Sequence, residues 1–228
     1  MEIIPGIHQV DGVNANCYIV IRDGLTIIDT GLPGSGKKIL AYIRERLHRN
    51  PAEIRTIIIT HFHLDHTGGV AALKEVVPDV KVAVGNEDGG YVNGAIPEPV
   101  LPGLTGVLMR LYTFIRRPCH FSPDILLNDR DRINGLLCLS IPGHTPGSIC
   151  LLDETTKSFF CGDIFRSDGS SVTVGPQQFT MDLVREHESR YKIATLDFEL
   201  LLPGHGVPLL HGASVKIREF VGNEPDGK

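Results

Sequence analysis

The sequence contains no CxxC pair, and its five cysteines stand at positions 17, 119, 138, 150 and 161. Several of them lie in apolar runs, and their odd number fits no disulfide framework. Reduced thiols are typical of cytoplasmic proteins, where disulfides are rare. The amino terminus also lacks the basic start and long apolar core of a signal peptide. We therefore predict a cytoplasmic protein with free thiols.

A surplus of positive charge is absent as well, and no apolar run continues for the length of a membrane span. The formal net charge is −5, which argues against a general nucleic-acid surface. In the most apolar stretch, residues 96–115, Glu98, Arg110 and three prolines interrupt the run. Hydrophobic residues make up 42% and charged residues 21%, as in ordinary globular proteins. We expect neither nucleic acid nor membrane as a partner.

Short apolar runs alternate with helix-like patterns along both halves of the 228-residue chain. Turn signals such as Asp23-Gly24 separate the runs, and apolar residues at helical spacing mark the helices. This alternation favours an α/β fold with two sheets packed face to face and helices outside. Strands are predicted at 16–21, 25–29, 55–60, 80–84, 136–141, 148–152, 158–161 and 199–202. Helices are predicted at 35–48, 67–77, 180–195 and 212–221.

Residues 92–122 depart from this pattern. They are rich in proline and glycine at first, and 104–117 then has a mostly apolar, helix-like pattern. We interpret the segment as an insertion over a functional site within a single domain of residues 1–228. Tyr112, Phe114 and Phe121 are then candidate apolar walls of a substrate pocket. A helix packed on the core, or a dimer contact, explains the pattern equally well.

The most informative motif is His61-Phe-His-Leu-Asp-His66, which follows the apolar run 55–60. It places three imidazoles and a carboxylate on one short loop at the exit of a predicted strand. Imidazole nitrogen and carboxylate oxygen are ligands of zinc-class ions. A purely structural explanation is therefore improbable for this motif. Isolated histidines are most often surface or core residues, and we assign no site role to His8, His48, His120, His187 and His211.

Three further candidate ligands, each with a glycine beside it, follow in the second half. They are His144 in Pro-Gly-His-Thr-Pro-Gly, Asp163 in Cys-Gly-Asp, and His205 in Pro-Gly-His-Gly. Alone, each could equally be a turn residue. Together with the histidine loop they give five histidines and two aspartates, enough for two divalent ions. We expect zinc, while iron and manganese suit the same donors.

The local geometry suggests how the ligands divide. Side chains alternate along an extended backbone, so His61 and His63 can reach one ion together, with His144 as a third ligand. After the loop turns, Asp65 and His66 can serve a second ion together with His205, and Asp163 can bridge the two. A hydroxide held between two cations is a nucleophile at neutral pH. Asp29 is either a turn former or a carboxylate that orients the histidine loop.

The combination of these motifs resembles the metallo-β-lactamase superfamily, and within it the glyoxalase II-like hydrolases. The resemblance runs from Asp29-Thr-Gly through the histidine loop, Gly143-His-Thr-Pro-Gly and Gly162-Asp to Pro203-Gly-His-Gly. It implies an αββα four-layer sandwich with a dinuclear site at one edge. The implied metal ligands and catalytic carboxylates are the residues named above, with Asp65 also a proton shuttle towards the leaving group.

The sequence differs from known branches of the superfamily at positions that bear on the substrate. The commonest β-lactamases carry Cys where this chain has Asp163, and glyoxalase II proper has a different stretch after its bridging aspartate. We therefore predict a dinuclear hydrolase that cleaves an ester, thioester or lactone of a small molecule, and leave a homodimer open. The alternative is a mono-iron oxidoreductase of the persulfide dioxygenase type. Arg166 and Arg116-Arg117 could recognise an anionic substrate group, although solvated surface charge explains them better.

Overall fold

The computed structural model describes residues 1–99 and 120–224, together with residues 103, 106, 107 and 111. The chain forms two compact units. The amino-terminal unit comprises the described residues of 1–84 and 89–126, and the carboxy-terminal unit comprises 85–88 and 127–224. Of the predicted insertion at 92–122, most residues lie outside the described part. Its ends are described: Val92 is buried, and the backbone N–H of Phe121 donates to the carbonyl oxygen of Val92 at 3.0 Å.

A mixed seven-stranded sheet forms the amino-terminal unit, with its strands in chain order. The first four strands pair antiparallel, whereas the fourth, fifth and sixth pair in parallel. β-branched residues fill the fifth strand, where Ile57 lies opposite Ile27 on one side and Val82 on the other. The strands are β1 (Glu2–Ile4), β2 (Ile7–Gln9), β3 (Tyr18–Ile21), β4 (Leu25–Ile28), β5 (Ile54–Ile59), β6 (Lys81–Gly85) and β7 (Ile125–Leu127).

Four α-helices of this unit are described over their full length: α1 (Ser35–Glu45), α2 (Leu64–Thr67), α3 (Val70–Val76) and α4 (Gly89–Val92). The apolar residues of α1 that predicted the helix, Ile39, Leu40 and Ile43, are buried in the core of the unit. The predicted helix at 67–77 is confirmed as α3, which begins at Val70, whereas the short helix α2 before it was not predicted. Gly68 and Gly69 separate the two helices. A Cβ atom at Gly68 would lie 2.3 Å from the nitrogen of Pro33, so the chain needs glycine to pass the loop before α1.

The carboxy-terminal unit contains a five-stranded sheet in the order β14-β11-β10-β9-β8 and a small three-stranded sheet in the order β13-β12-β15. The large sheet is antiparallel except for the parallel pair β11–β14. The strands are β8 (Arg132–Ile133), β9 (Leu136–Ser140), β10 (Ile149–Asp153), β11 (Ser158–Gly162), β12 (Arg166–Asp168), β13 (Val172–Thr173), β14 (Leu200–Pro203) and β15 (Gly206–Val207).

Helices α5 (Leu183–Ala194) and α6 (Ala213–Gly222) complete this unit and contribute Ile193, Ile217 and Val221 to its core. Within that core the rings of Phe159 and Phe198 stack, with centroids 4.5 Å apart. The strands and helices predicted for this half are confirmed, whereas the small sheet was not predicted. The α/β class with two mixed sheets and helices is therefore confirmed. In the described part of the chain, no helix has the length and apolar character needed to span a bilayer.

Two helical glycines differ in the space around them. A Cβ atom at Gly36 in α1 would lie 2.7 Å from the carbonyl oxygen of Gly69 and 2.8 Å from the Cβ of Ala72, whereas one at Gly222 in α6 would meet nothing within 4 Å. We expect Gly36→Ala to lower the free energy of unfolding by about 1–3 kcal/mol, because the packed elements must move apart. Gly222→Ala, the matched control, should raise it by up to about 1 kcal/mol. Urea denaturation measures both, and equal effects would contradict the close packing of Gly36.

Candidate metal centre

The histidine loop begins where the buried strand β5 ends. His61 and His66 are buried, whereas His63 caps the amino terminus of α2 and is partly exposed. The ring centroid of His61 lies 4.7 Å from that of His63 and 4.0 Å from that of His66. The carboxylate of Asp65 lies 4.0 Å from Nε2 of His66. Three imidazoles and one carboxylate thus lie together in the amino-terminal unit.

The Asp29 carboxylate anchors this loop through hydrogen bonds. It is buried, with 2% of the residue exposed, and its backbone has a left-handed φ of 58° just after β4. Its oxygens accept three hydrogen bonds of 2.8 Å, from the backbone N–H of Thr60, the hydroxyl of Thr60 and Nδ1 of His66. These contacts agree with the interpretation of Asp29 as the carboxylate that orients the histidine loop.

The hydrogen bonds of Asp29 also fix which nitrogen of each imidazole carries the proton. An ionised carboxylate only accepts, so Nδ1 of His66 donates to Asp29. The single hydroxyl proton of Thr60 points to Asp29, and the Thr60 oxygen therefore accepts from Nδ1 of His61 at 3.1 Å. His61 and His66 each keep a lone pair on Nε2, the form in which a histidine binds a metal.

Thr30 fixes the end of the loop. Its backbone N–H and its hydroxyl both donate to the carbonyl oxygen of His66, at 2.8 and 2.7 Å, and its hydroxyl oxygen accepts from the N–H of Gly69 at 3.0 Å. A Cβ atom at Gly69 would lie 2.4 Å from the carbonyl oxygen of Thr30. The Gly-Gly pair after the histidine motif thus allows two backbone segments to approach closely.

The carboxy-terminal unit brings the other three candidates together. His144 follows β9, Asp163 follows β11 and His205 lies between β14 and β15. Nε2 of His205 is 3.3 Å and Nε2 of His144 is 3.8 Å from the same oxygen, Oδ2 of Asp163. The side chains of His144 and Asp163 are buried, and that of His205 is 19% exposed. A carboxylate with two imidazole nitrogens near one oxygen has the donor chemistry of a metal site.

Asp88 positions the loop that carries His144, and sequence analysis missed this residue. It is fully buried, and its two carboxylate oxygens accept from the hydroxyl of Thr145 and the N–H of Gly147, both at 2.7 Å. A Cβ atom at Gly147 would lie 2.2 Å from the nitrogen of Asp88. These contacts give Thr145 and Gly147 of the His-Thr-Pro-Gly motif their physical role. Asp88 lies outside any recognisable pattern, so only the fold identifies it.

A second group that sequence analysis missed lies beside His144. Nδ1 of His144 is 3.4 Å from the hydroxyl oxygen of Thr180 and 4.0 Å from a carboxylate oxygen of Glu186. Burial raises the pKa of Glu186, while hydrogen bonds from Thr180 and Arg190 act in the opposite direction. Neither residue belongs to a sequence motif.

The cysteines of the described part do not contribute ligands to these two sets. All four are buried in apolar surroundings: Cys17, Cys138, Cys150 and Cys161. Burial raises the pKa of Cys138 to about 12 and that of Cys150 well above its usual value. Thiolate is the form that binds metal, so the candidate donors are nitrogen and oxygen. This donor set fits a zinc-class divalent ion.

The other residues weighed in sequence analysis lie elsewhere or outside the described part. His8 contacts Tyr42, His187 packs edge-on against Tyr191, and the side chain of His211 is 91% exposed. Phe121 packs against the core of the amino-terminal unit. Residues 112, 114, 116 and 117 lie outside the described residues, so their predicted roles remain predictions.

A family model and two similar proteins agree on the family to which this chain is related. The model of the metallo-beta-lactamase superfamily matches residues 10–205. The chain is 28% identical over 232 residues to the probable metallo-hydrolase YflN of Bacillus subtilis, covering 91% of this chain and 86% of the relative. It is 25% identical over 236 residues to the hydroxyacylglutathione hydrolase GloC of Haemophilus influenzae, covering 98% and 99%.

A solved structure supports the fold. The crystal structure of TTHA1623 in a di-iron-bound form matches with a TM-score of 0.68 at 24% identity, covering 94% of this chain and 98% of that chain. The predicted metallo-β-lactamase fold is therefore confirmed.

Asp29→Asn tests the buried carboxylate. Asparagine also accepts the left-handed backbone of this position, so the exchange isolates the loss of an acceptor. We expect the free energy of unfolding in chelator to fall by about 1–3 kcal/mol, because the amide NH2 that replaces one carboxylate oxygen cannot accept a hydrogen bond, and at least one of the three donors then loses its acceptor. Asp197→Asn is the matched control, since the Asp197 side chain is 83% exposed, and it should change stability by less than about 1 kcal/mol. Equal urea midpoints for both variants would contradict the role of Asp29.

Proposed function

This chain belongs to the metallo-beta-lactamase superfamily and is a hydrolase of that superfamily, and we propose that it uses two divalent metal ions to cleave an ester, thioester or lactone of a small molecule. The observation that carries the proposal is the fixed protonation of the histidine loop. Hydrogen bonds to Asp29 and Thr60 place the protons of His66 and His61 on Nδ1. Each Nε2 atom therefore keeps a lone pair that can bind a metal ion. A protein that needed these histidines only for packing would have no use for that arrangement.

The number of candidate ligands supports two metal ions, each bound by residues from both units. The amino-terminal unit offers His61, His63, Asp65 and His66, and the carboxy-terminal unit offers His144, Asp163 and His205. Neither set alone provides three protein ligands for each of two ions. We therefore propose one ion on His61, His63 and His144, and a second on Asp65, His66 and His205. Asp163, whose Oδ2 already lies near two imidazole nitrogens, is the proposed shared ligand.

The proposed chemistry divides between the ions and the side chains. Bound divalent ions lower the pKa of water and polarise the substrate carbonyl. Asp65, whose side chain is 29% exposed, can carry a proton to the leaving group. Asp29 is buried and already accepts three hydrogen bonds, so it orients rather than transfers a proton.

The metal and the substrate class follow from chemistry shared with relatives. Zinc suits a nitrogen and oxygen donor set, and iron or manganese fits the same donors. The TTHA1623 structure is described as di-iron, which makes iron a concrete alternative to zinc. The relative GloC is named a hydroxyacylglutathione hydrolase, so a glutathione thioester belongs among the first substrates to test.

Metal content tests the ligand assignment. We expect nearly two ions of zinc, iron or manganese per purified chain, and a clear loss in His63→Ala and His205→Ala, since each removes one proposed ligand. His211→Ala is the matched control, because the His211 side chain is 91% exposed, and it should keep the full content. Elemental analysis measures all four proteins. A single iron per wild-type chain, or full content in both ligand variants, would contradict the dinuclear assignment.

Hydrolysis tests the reaction. Metal-loaded protein should hydrolyse at least one member of a panel comprising a hydroxyacylglutathione, an acyl-coenzyme A, an activated phenyl ester and an acyl lactone. Chelation should abolish the rate, and added metal should restore it. Asp65→Asn should lower kcat/KM by about 100-fold or more, through lost proton transfer and weakened metal binding. If metal-loaded protein hydrolysed no member of the panel, the proposed reaction class would be wrong.

A further inference from the structure

A chain of hydrogen-bonded charged and polar side chains in the carboxy-terminal unit has no role in the chemistry proposed above. Glu186 is 5% and Arg190 is 8% exposed, both on helix α5. Nη1 of Arg190 donates to Glu186 at 3.0 Å, and Nε of Arg190 donates to Glu224 at 3.1 Å. Burying the charges of Glu186 and Arg190 is costly unless they are paired and hydrogen-bonded, so a structure that retains them calls for a reason.

The other end of this chain reaches His144. The hydroxyl of Thr180 donates to Oε1 of Glu186 at 3.0 Å. A threonine hydroxyl has one proton, so the Thr180 oxygen is then an acceptor towards Nδ1 of His144, 3.4 Å away. This polarity places the proton of His144 on Nδ1 and leaves the lone pair on Nε2, the nitrogen that faces Asp163 at 3.8 Å.

We infer that Thr180 and Glu186 are positioning residues for His144: the Glu186 carboxylate orients the Thr180 hydroxyl, which holds the His144 imidazole with Nε2 ready to bind metal. The inference rests on the proposed metal-binding function. It adds to that function two residues that are not metal ligands and that belong to no motif of the sequence.

The backbone fixes Glu186 against the His144 loop. The N–H of Asp182 donates to the carbonyl oxygen of Gly143 at 2.9 Å, and the N–H of Met181 donates to that of His144 at 3.2 Å. A Cβ atom at Gly143 would lie 2.3 Å from the Cα of Glu186. The start of α5 and the loop are therefore in direct contact, with the Thr180 hydroxyl beside His144.

The amino-terminal unit contains the same arrangement of groups. There the Asp29 carboxylate accepts from the hydroxyl of Thr60, whose oxygen lies 3.1 Å from Nδ1 of His61. Each unit thus has a carboxylate, a threonine and a histidine in series with the same hydrogen-bond polarity. Because this series of three residues occurs in both units, we expect His61 and His144 to have the same role. Metal binding is a role that requires a fixed lone pair on Nε2.

The first test reads the tautomer directly. Long-range ¹H–¹⁵N correlation spectra of the metal-free full-length protein distinguish the Nδ1–H from the Nε2–H form of each imidazole. We expect His144 in the Nδ1–H form in the wild type and in Thr180→Ser, which keeps the hydroxyl. Thr180→Val, of similar shape without the hydroxyl, should lose this preference. An Nε2–H tautomer of His144 in the wild type would overturn the inference, whatever the protein binds.

The second test reads metal binding. We expect Thr180→Val to bind Co²⁺ about 10- to 100-fold more weakly in chelator competition, with an altered visible absorption spectrum, and Thr180→Ser to restore wild-type behaviour. Glu188→Gln, an exposed change on the same helix, is the control for Glu186→Gln. Urea denaturation of the metal-free variants identifies any that do not fold, and Thr180→Val then carries the test alone. Wild-type affinity and spectrum in Thr180→Val would contradict the positioning role.

These tests separate the inference from the proposed function. If the wild type bound no metal yet held His144 in the Nδ1–H form, the proposed function would fail while the hydrogen-bond relay stood. If the wild type bound two ions and Thr180→Val bound them equally well, the relay would fail while the proposed function stood.

Discussion

Everything at the candidate centre depends on burying carboxylates that accept from several donors at once. A buried carboxylate without partners is so costly that it neutralises instead, and here Asp29, Asp88 and Glu186 each accept hydrogen bonds from at least two other residues. Each carboxylate connects a segment that carries or contacts a candidate ligand to a neighbouring part of the same unit through hydrogen bonds. Since the partners are hydroxyls, the imidazole of His66, a guanidinium and backbone N–H groups, the same contacts that stabilise the loops also orient their histidines.

Glycines allow these loops to come close enough for such contacts. Gly69 passes Thr30, Gly147 passes Asp88, and Gly143 passes Glu186 at distances that any side chain would make impossible. The short motifs around the histidines therefore contain residues needed for close backbone packing as well as candidate metal ligands. A glycine beside a candidate ligand, as at His144, Asp163 and His205, indicates a close backbone approach, and the structure identifies what Gly143 approaches.

Prediction from sequence succeeded where one element decides the outcome by itself. The apolar periodicity of α1 and the β-branched run of β5 identified both elements, because local spacing determines which face is buried. It also placed the helix at 67–77 that the structure shows as α3, but it missed the one-turn helix α2, which is too short to have an apolar period of its own. Asp88, Thr180 and Glu186 could not be predicted, because ordinary polar residues acquire a role only from distant neighbours. The proposed metal ligands remain predictions of chemistry that the experiments above address.

The sequence alone determined the donor types, the longer strands and helices, and the resemblance to the family, since these depend on residue identity and on spacing along one element. Only the tertiary structure decided how the donors are held. The proton on Nδ1 of His61 depends on a carboxylate 32 residues earlier, and that of His144 on a helix that begins 39 residues later. Hydrogen-bond polarity is a property of the whole set of partners, and no local pattern encodes partners that are brought together by folding.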